Sequence, residues 1–204
     1  MIQIVAATGN AHKVEEMRAI LAPHGIQVLS AKEAGGMPDV VEDGDTFTAN
    51  AIKKALETAQ SLQCPVLADD SGLEVFALGG APGIYSARYA CEGGNDGRNV
   101  QKLLRELGDS DDRTARFVCV IALASPAGLI GTTEGEVRGR IIDSPRGDHG
   151  FGYDPVFVPD GYEGTFAELP SEVKNQLSHR GNALQNAVSS GLFAELQAPR
   201  ASTI

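Results

Sequence analysis

Hydrophobic and polar positions along the chain alternate between two rhythms. Residues 2–7 form a short apolar run that reads as a buried strand. Val14, Met17, Ile20 and Leu21 then recur at helical spacing until Pro23 and Gly25 end the pattern. The chain therefore opens as strand, turn, helix. Residues 26–29 predict a second short strand, and residues 34–45 form a Gly/Pro/Asp-rich loop carrying Glu42. Between Thr46 and Leu62, the side chains of Phe47, Ala51, Ile52, Leu56, Ala59 and Leu62 fall on one face, which makes this the clearest helix in the sequence. Residues 65–68 predict a strand that runs into Asp69-Asp70-Ser71-Gly72, with residues 73–78 continuing it before a loop containing Gly79, Gly80, Pro82 and Gly83. Residues 99–107 read as helix. Residues 116–123, 129–137 and 140–142 are rich in Val, Ile, Thr and Phe between glycines and predict successive antiparallel strands, and helical spacing returns over residues 183–196.

That order predicts an α/β fold with a mixed central sheet flanked by helices. At 204 residues, with no repeat, low-complexity tract or linker, the chain reads as one domain over 1–204, or two lobes closely joined. Met1-Ile2-Gln3-Ile4 carries no positively charged leader and the longest apolar run, residues 117–124, spans only eight positions, so neither a signal peptide nor a membrane span is expected. Cys64, Cys91 and Cys119 are odd in number and never in a CxxC pair, which fits a reducing, cytoplasmic setting and suggests no zinc site. The net charge of −10 argues against a nucleic-acid partner, since phosphate backbones are held by basic stripes. Any anionic ligand must meet a local basic cluster or a bound cation. Glycine, at 24 residues, is about 12% of the chain against a usual value of about 7%, so many turns suit close approach of the backbone to something else.

Several segments carry candidate chemistry. Thr8-Gly9-Asn10-Ala11-His12-Lys13 joins a strand to a helix start, where backbone amides favour an anion and Lys13 adds charge. The segment lacks the spacing of a P-loop or a dinucleotide fingerprint and also reads as a turn with Asn10 as helix cap. Glu42 and the pair Asp69-Asp70 offer hard oxygen ligands suited to Mg²⁺. Strand alternation would point Asp69 and Asp70 to opposite faces, although Asp-Asp-Ser-Gly is equally ordinary turn chemistry. Residues 147–155 set Phe151 and Tyr153 among glycines, either to stack on a base or to form a buried aromatic corner. Lys174, Ser178, His179 and Arg180 offer donors to a carbonyl oxygen or make a solvated basic patch. Lys54 lies at i,i+4 from Asn50 and reaches either a phosphate or water, while Lys53 and Glu57 read as a surface pair.

In this order the segments resemble the inosine triphosphate pyrophosphatase, or non-canonical purine nucleoside triphosphate pyrophosphatase, family. The match runs from TGNAHK (8–13) through Glu42, TFTANAIKKA (46–55), LADDSGLEV (67–75), LGGAPGIYSARY (78–89) and GFGYDPVF (150–157) to EVKNQLSHRGNAL (172–184). The resemblance implies hydrolysis of ITP, dITP and XTP to monophosphate and pyrophosphate, a Mg²⁺ requirement, a homodimer, and two α/β lobes around an active-site cleft. It makes Thr8, Gly9, Asn10, Ala11, His12 and Lys13 a triphosphate loop and Glu42 and Asp70 the metal ligands, with Asp70 also the proton acceptor for the attacking water. Ser71, Phe151, Gly152, Tyr153, Asp154, Lys174, His179 and Arg180 match substrate-binding positions, and Lys54 joins Lys13 and Lys174 in a local positive field. Ala49 departs from the TFxENA pattern of many bacterial members, and the missing Glu either weakens the helix start or removes an outer carboxylate. A nucleotide binder or sensor without turnover, and a Maf-type enzyme acting on dTTP or UTP, are the alternative readings. Intact Glu42 and Asp70 favour an enzyme, and GFGYD with SHR favours purines.

Overall fold

The chain alternates strands and helices in its first half because its apolar periods do. The computed structural model describes residues 2–196. It contains β1 (Ile2–Ala6), α1 (Ala11–Leu21), β2 (Ile26–Ser30), α2 (Phe47–Leu62), β3 (Val66–Val75), α3 (Asp96–Leu107), β4 (Thr114–Ser125), β5 (Gly128–Ile141), β6 (Phe157–Pro159), α4 (Ser171–Leu177) and α5 (His179–Ser189). Short 3₁₀ turns link several of these. The six strands form one sheet in the order β2-β1-β3-β4-β5-β6. β1 runs parallel to β2, with Ile4 opposite Val28, and parallel to β3, with Val5 opposite Val66. β5 and β6 are antiparallel. The sheet is therefore mixed, as the switch from helix-separated to consecutive strands implies.

The chain divides into two compact units. The first takes in Met1–Asp69, Val120–Thr133 and the stretch from Ala183; the second takes in Asp70–Cys119 and Glu134–Asn182. The core of the first is aliphatic and small: Ile4, Met17, Leu21, Ala51, Ala55, Ala59, Leu67, Ile121, Leu123 and Leu184 are all buried. Three alanines one turn apart on α2 let that helix pack closely on its buried side. The core of the second is aromatic. Phe117 meets Phe157 edge-on at 4.8 Å and Phe166 at 6.0 Å, with Leu73, Val100, Leu103 and Val156 around them.

Thr46 caps α2, its Oγ1 accepting from the Ala49 amide at 3.1 Å, so the helix start keeps its N-cap and lacks only the reciprocal side-chain bond that a Glu at position 49 would add. Four sequence expectations need correction. Asp69-Asp70-Ser71-Gly72 is not a turn, because β3 runs unbroken from Val66 to Val75 and the burial of Leu67, Leu73 and Val75 holds the polar residues extended. Residues 129–137 and 140–142 belong to one strand, β5. Gly139 does not interrupt it; a Cβ there would collide with Val158 O, so the glycine permits close pairing with β6. The last helix begins at His179, ends at Ser189 and is followed by a 3₁₀ turn over Leu192–Leu196. Lys53 reaches Asp43 at 2.6 Å, so its direct partner is the preceding loop, with Glu57 adding a smaller charge effect. No helix among the described residues is long and apolar enough to cross a membrane.

Candidate active site

In the first unit, the turn after β1 is held by its own side chains. Thr8 Oγ1 accepts from the Asn10 amide at 3.1 Å, and Asn10 Oδ1 accepts from the His12 and Lys13 amides at 2.9 and 3.4 Å. Asn10 is thus the N-cap of α1, and three of the amides expected to face an anion already have acceptors within the loop. Gly9 has open space where a Cβ would stand, while Ala11 and His12 are exposed. Lys13 turns inward, its Nζ 2.9 Å from Oδ2 of Asp69, whose side chain is fully buried. Glu42 and Lys54 form a second ion pair, with Lys54 91% buried along its side chain. Its solvated reading is overturned: α2 presents the lysine to the Gly/Pro/Asp loop.

Strand alternation separates the two aspartates. Asp69 pairs with Lys13, and the next residue, Asp70, points its side chain the other way, its Oδ1 accepting from the Ser71 amide at 3.1 Å. Both are buried, Asp70 with 7% exposure. A carboxylate in that state is expensive to desolvate unless a cation or donors meet it.

The second unit gathers the remaining candidates. Arg180, 1% exposed, donates from its guanidinium to Ser71 Oγ at 3.0 Å across 109 residues of sequence. Lys174 Nζ lies 2.7 Å from Asp154 Oδ2, with both side chains buried. That same Oδ2 accepts from the Phe151 amide at 2.9 Å, and Gly150, at φ +77°, is required because a Cβ there would collide with it. The half-buried Phe151 ring has Lys174 Nζ 4.9 Å and the Arg180 guanidinium carbon 5.8 Å from its centroid. His179, also buried, stacks on Phe117 at 4.7 Å and 11°. The basic patch expected over residues 174–180 is consequently an interior one.

The two aromatics of the glycine loop take different roles. Tyr153 is 3% exposed and donates its hydroxyl to Ser86 O at 2.9 Å; burial, with smaller effects from the charges of Tyr89, Asp96 and Glu106, pushes its phenol well above the ordinary value, so it stays a neutral donor. Its ring belongs to the core. Phe151 alone of the pair keeps an accessible ring. Gly152 donates its amide to Asp96 Oδ2 at 2.7 Å.

Asp69, offered with Asp70 as an oxygen ligand for Mg²⁺, is the anchor of Lys13. Two residues were not assigned a role from sequence. Ser86 accepts at Oγ from the Leu73 amide at 2.9 Å and at its carbonyl from Tyr153, tying β3 to the glycine loop. Asp96 reads in sequence only as an acidic residue in a helix's first turn.

Among the described residues, no group of three or more His, Cys, Asp or Glu side chains is placed to hold a metal ion. Glu42 in the first unit and Asp70 in the second each offer the hard oxygen chemistry of which Mg²⁺ takes one or two carboxylates, filling its shell with water and substrate phosphates.

Comparison with known proteins places this chain in a family. The model of the Ham1 family matches residues 4–190. A dITP/XTP pyrophosphatase of Desulfotalea psychrophila is 52% identical over 181 residues, covering 89% of this chain and 81% of that protein. One from Desulforamulus reducens is 52% identical over 189 residues, 92% of this chain and 94% of its own length. Among solved structures, the Staphylococcus aureus Ham1 protein superposes with a TM-score of 0.82 at 44% identity, covering 95% of this chain and 99% of that one.

Proposed function

This chain belongs to the Ham1 family, and from that premise we infer that it hydrolyses non-canonical purine nucleoside triphosphates, ITP, dITP and XTP, to the monophosphate and pyrophosphate. The observation that carries the reading is 52% identity over 92% of the chain with a protein named dITP/XTP pyrophosphatase. The products define a hydrolase acting on an acid anhydride. Cys64, Cys91 and Cys119 form no disulfide among the described residues, which suits action on the nucleotide pool of the cytoplasm, and a homodimer is the proposed assembly.

The chemistry follows from where the charges sit. A triphosphate brings about four negative charges to a protein of net charge −10, so Lys13, Lys54 and Lys174 supply the local positive field that its binding needs. Glu42 and Asp70 would hold Mg²⁺, which when bound supplies neutralisation of the phosphate oxygens. Asp70 accepts the proton of the water attacking the α-phosphorus. Lys13 reaches the phosphates from the turn after β1, with Asp69 fixing its ammonium. The Thr8–Lys13 turn contributes through Lys13 and its remaining amides, since Asn10 occupies the others as a cap.

The purine is read in the second unit. Hypoxanthine and xanthine carry a carbonyl at position 6, whereas adenine carries an amino group. Arg180 and His179 present donors, so adenine sets donor against donor and leaves buried groups unpaired. Phe151 supplies a face for the ring, and Ser71, Gly152, Tyr153 and Asp154 hold these groups in place.

Two measurements test this. ITP with Mg²⁺ is expected to give IMP and pyrophosphate in one step, without IDP, and no turnover in excess chelator. Orthophosphate as the first product would overturn the α-phosphorus assignment. Arg180→Ala is expected to lower kcat/KM for ITP by about 1 to 3 kcal/mol while changing the poor ATP rate much less. Equal losses for both nucleotides would show that Arg180 holds phosphate or structure instead of the base.

A further inference from the structure

The loop over residues 150–154 is gripped at two consecutive amides by two carboxylates from different parts of the chain. Asp154 Oδ2 takes the Phe151 amide at 2.9 Å from within the loop, and Asp96 Oδ2 takes the Gly152 amide at 2.7 Å from 56 residues away. Asp96 opens α3, whose N-cap is Asn95 through a bond to the Arg98 amide at 2.9 Å, so the helix has its own cap and the Asp96 carboxylate is released to reach outward. Beside this contact lies a cavity of about 490 Å³ lined by Val100, Gln101 and Leu104 of α3 and by Pro145, His149 and Phe151 of the loop region. Next to that cavity the loop packs on α3 through Tyr153, which shares a buried cluster with Val100 and Leu103, and Asp96 adds a polar hold at Gly152 to that apolar one. Gly152 itself, at φ +63°, is in the left-handed region that glycine adopts readily.

We propose that Asp96 is a positioning residue for purine recognition: by accepting from the Gly152 amide it holds the Phe151 loop in the conformation that presents the ring to the base. The inference rests on the reading of this chain as a purine triphosphate pyrophosphatase. Asp96 touches neither phosphate nor the attacking water in this scheme, and Lys174 is held by its own buried pair with Asp154, so the loss of Asp96 acts on the Phe151 face that meets the base. A charge-assisted bond to an amide is replaced by solvent when the carboxylate goes, and the loop samples other conformations.

The experiment compares wild type, Asp96→Ala and Asp96→Asn in three assays: turnover of ITP, inhibition by IMP, and inhibition by inorganic tripolyphosphate, which has no base. Asp96→Ala is expected to raise KM for ITP and the inhibition constant of IMP by about 3- to 10-fold, with the tripolyphosphate constant unchanged. Asp96→Asn retains an acceptor oxygen and is expected to recover most of the loss. A parallel weakening of IMP and tripolyphosphate, or a lowered unfolding temperature with unchanged inhibition constants, would reduce Asp96 to a helix-dipole residue and overturn the proposal, as would wild-type constants throughout. Absence of ITP turnover in the wild type would instead overturn the enzymatic reading, so the two failures are distinguishable.

Discussion

Asp70→Asn is expected to lower kcat for ITP by at least about 100-fold, the lower end for losing a general base, while leaving the folded state intact. The substitution is nearly isosteric at the centre of β3, and the amide oxygen can still accept from the Ser71 amide as Oδ1 does at 3.1 Å. What disappears is the negative charge and the capacity to take a proton. Those two losses separate by titrating Mg²⁺: a weakened metal site is restored at higher metal concentration, whereas a missing proton acceptor keeps kcat low at saturation. Asp69→Asn provides the contrast. Asp69 is committed to Lys13 at 2.9 Å, so its loss is expected to act on triphosphate binding and raise KM more than it lowers kcat. Near-normal turnover of Asp70→Asn would remove the base assignment. A kcat collapse in Asp69→Asn with Asp70→Asn active would transfer the role to the other face of the strand.

That contrast between neighbours shows where sequence reasoning reached and where it stopped. The 3.6-residue spacing over residues 46–62 and the Thr46 cap located α2 to within a residue, because burial of one helix face leaves a periodic trace. The alternation rule put Asp69 and Asp70 on opposite faces without saying which face held which partner. Composition misled at residues 69–72, since Asp, Ser and Gly favour turns in isolation but the flanking Val66, Leu67, Leu73 and Val75 fix the strand from outside. The polarity of residues 174–180 likewise suggested solvent. Burial of a cation depends on a counter-charge or an acceptor that periodicity does not report: Lys54 finds Glu42 twelve residues back, Lys174 finds Asp154 twenty back, and Arg180 donates to the Ser71 hydroxyl at a separation of 109. The motifs identified which residues matter, and only the fold shows which of them neutralise one another.

Lys174→Met is expected to destabilise the protein by about 3 to 5 kcal/mol, the cost of leaving one member of a buried ion pair without the other. Methionine keeps the length and most of the volume of lysine, so cavity formation contributes little. The lysine and aspartate side chains are 8% and 5% exposed and 2.7 Å apart, which excludes the weak, screened regime of surface pairs. At roughly 2 to 4 °C per kcal/mol for a chain of this size, the unfolding temperature should fall by about 6 to 20 °C. Asp154→Asn leaves the Lys174 ammonium as the buried charge without its partner and is expected to cost a similar amount at the pair, while its amide oxygen can still accept from the Phe151 amide as Asp154 Oδ2 does. The double variant Lys174→Met with Asp154→Asn should therefore be more stable than the sum of the single losses predicts, since no buried charge remains, yet should not regain ITP binding. Thermal unfolding of the four proteins without nucleotide measures the coupling directly. A fall below about 2 °C for Lys174→Met, with additive single and double variants, would mean that water already reaches the pair and that its contribution to the fold is that of an exposed contact.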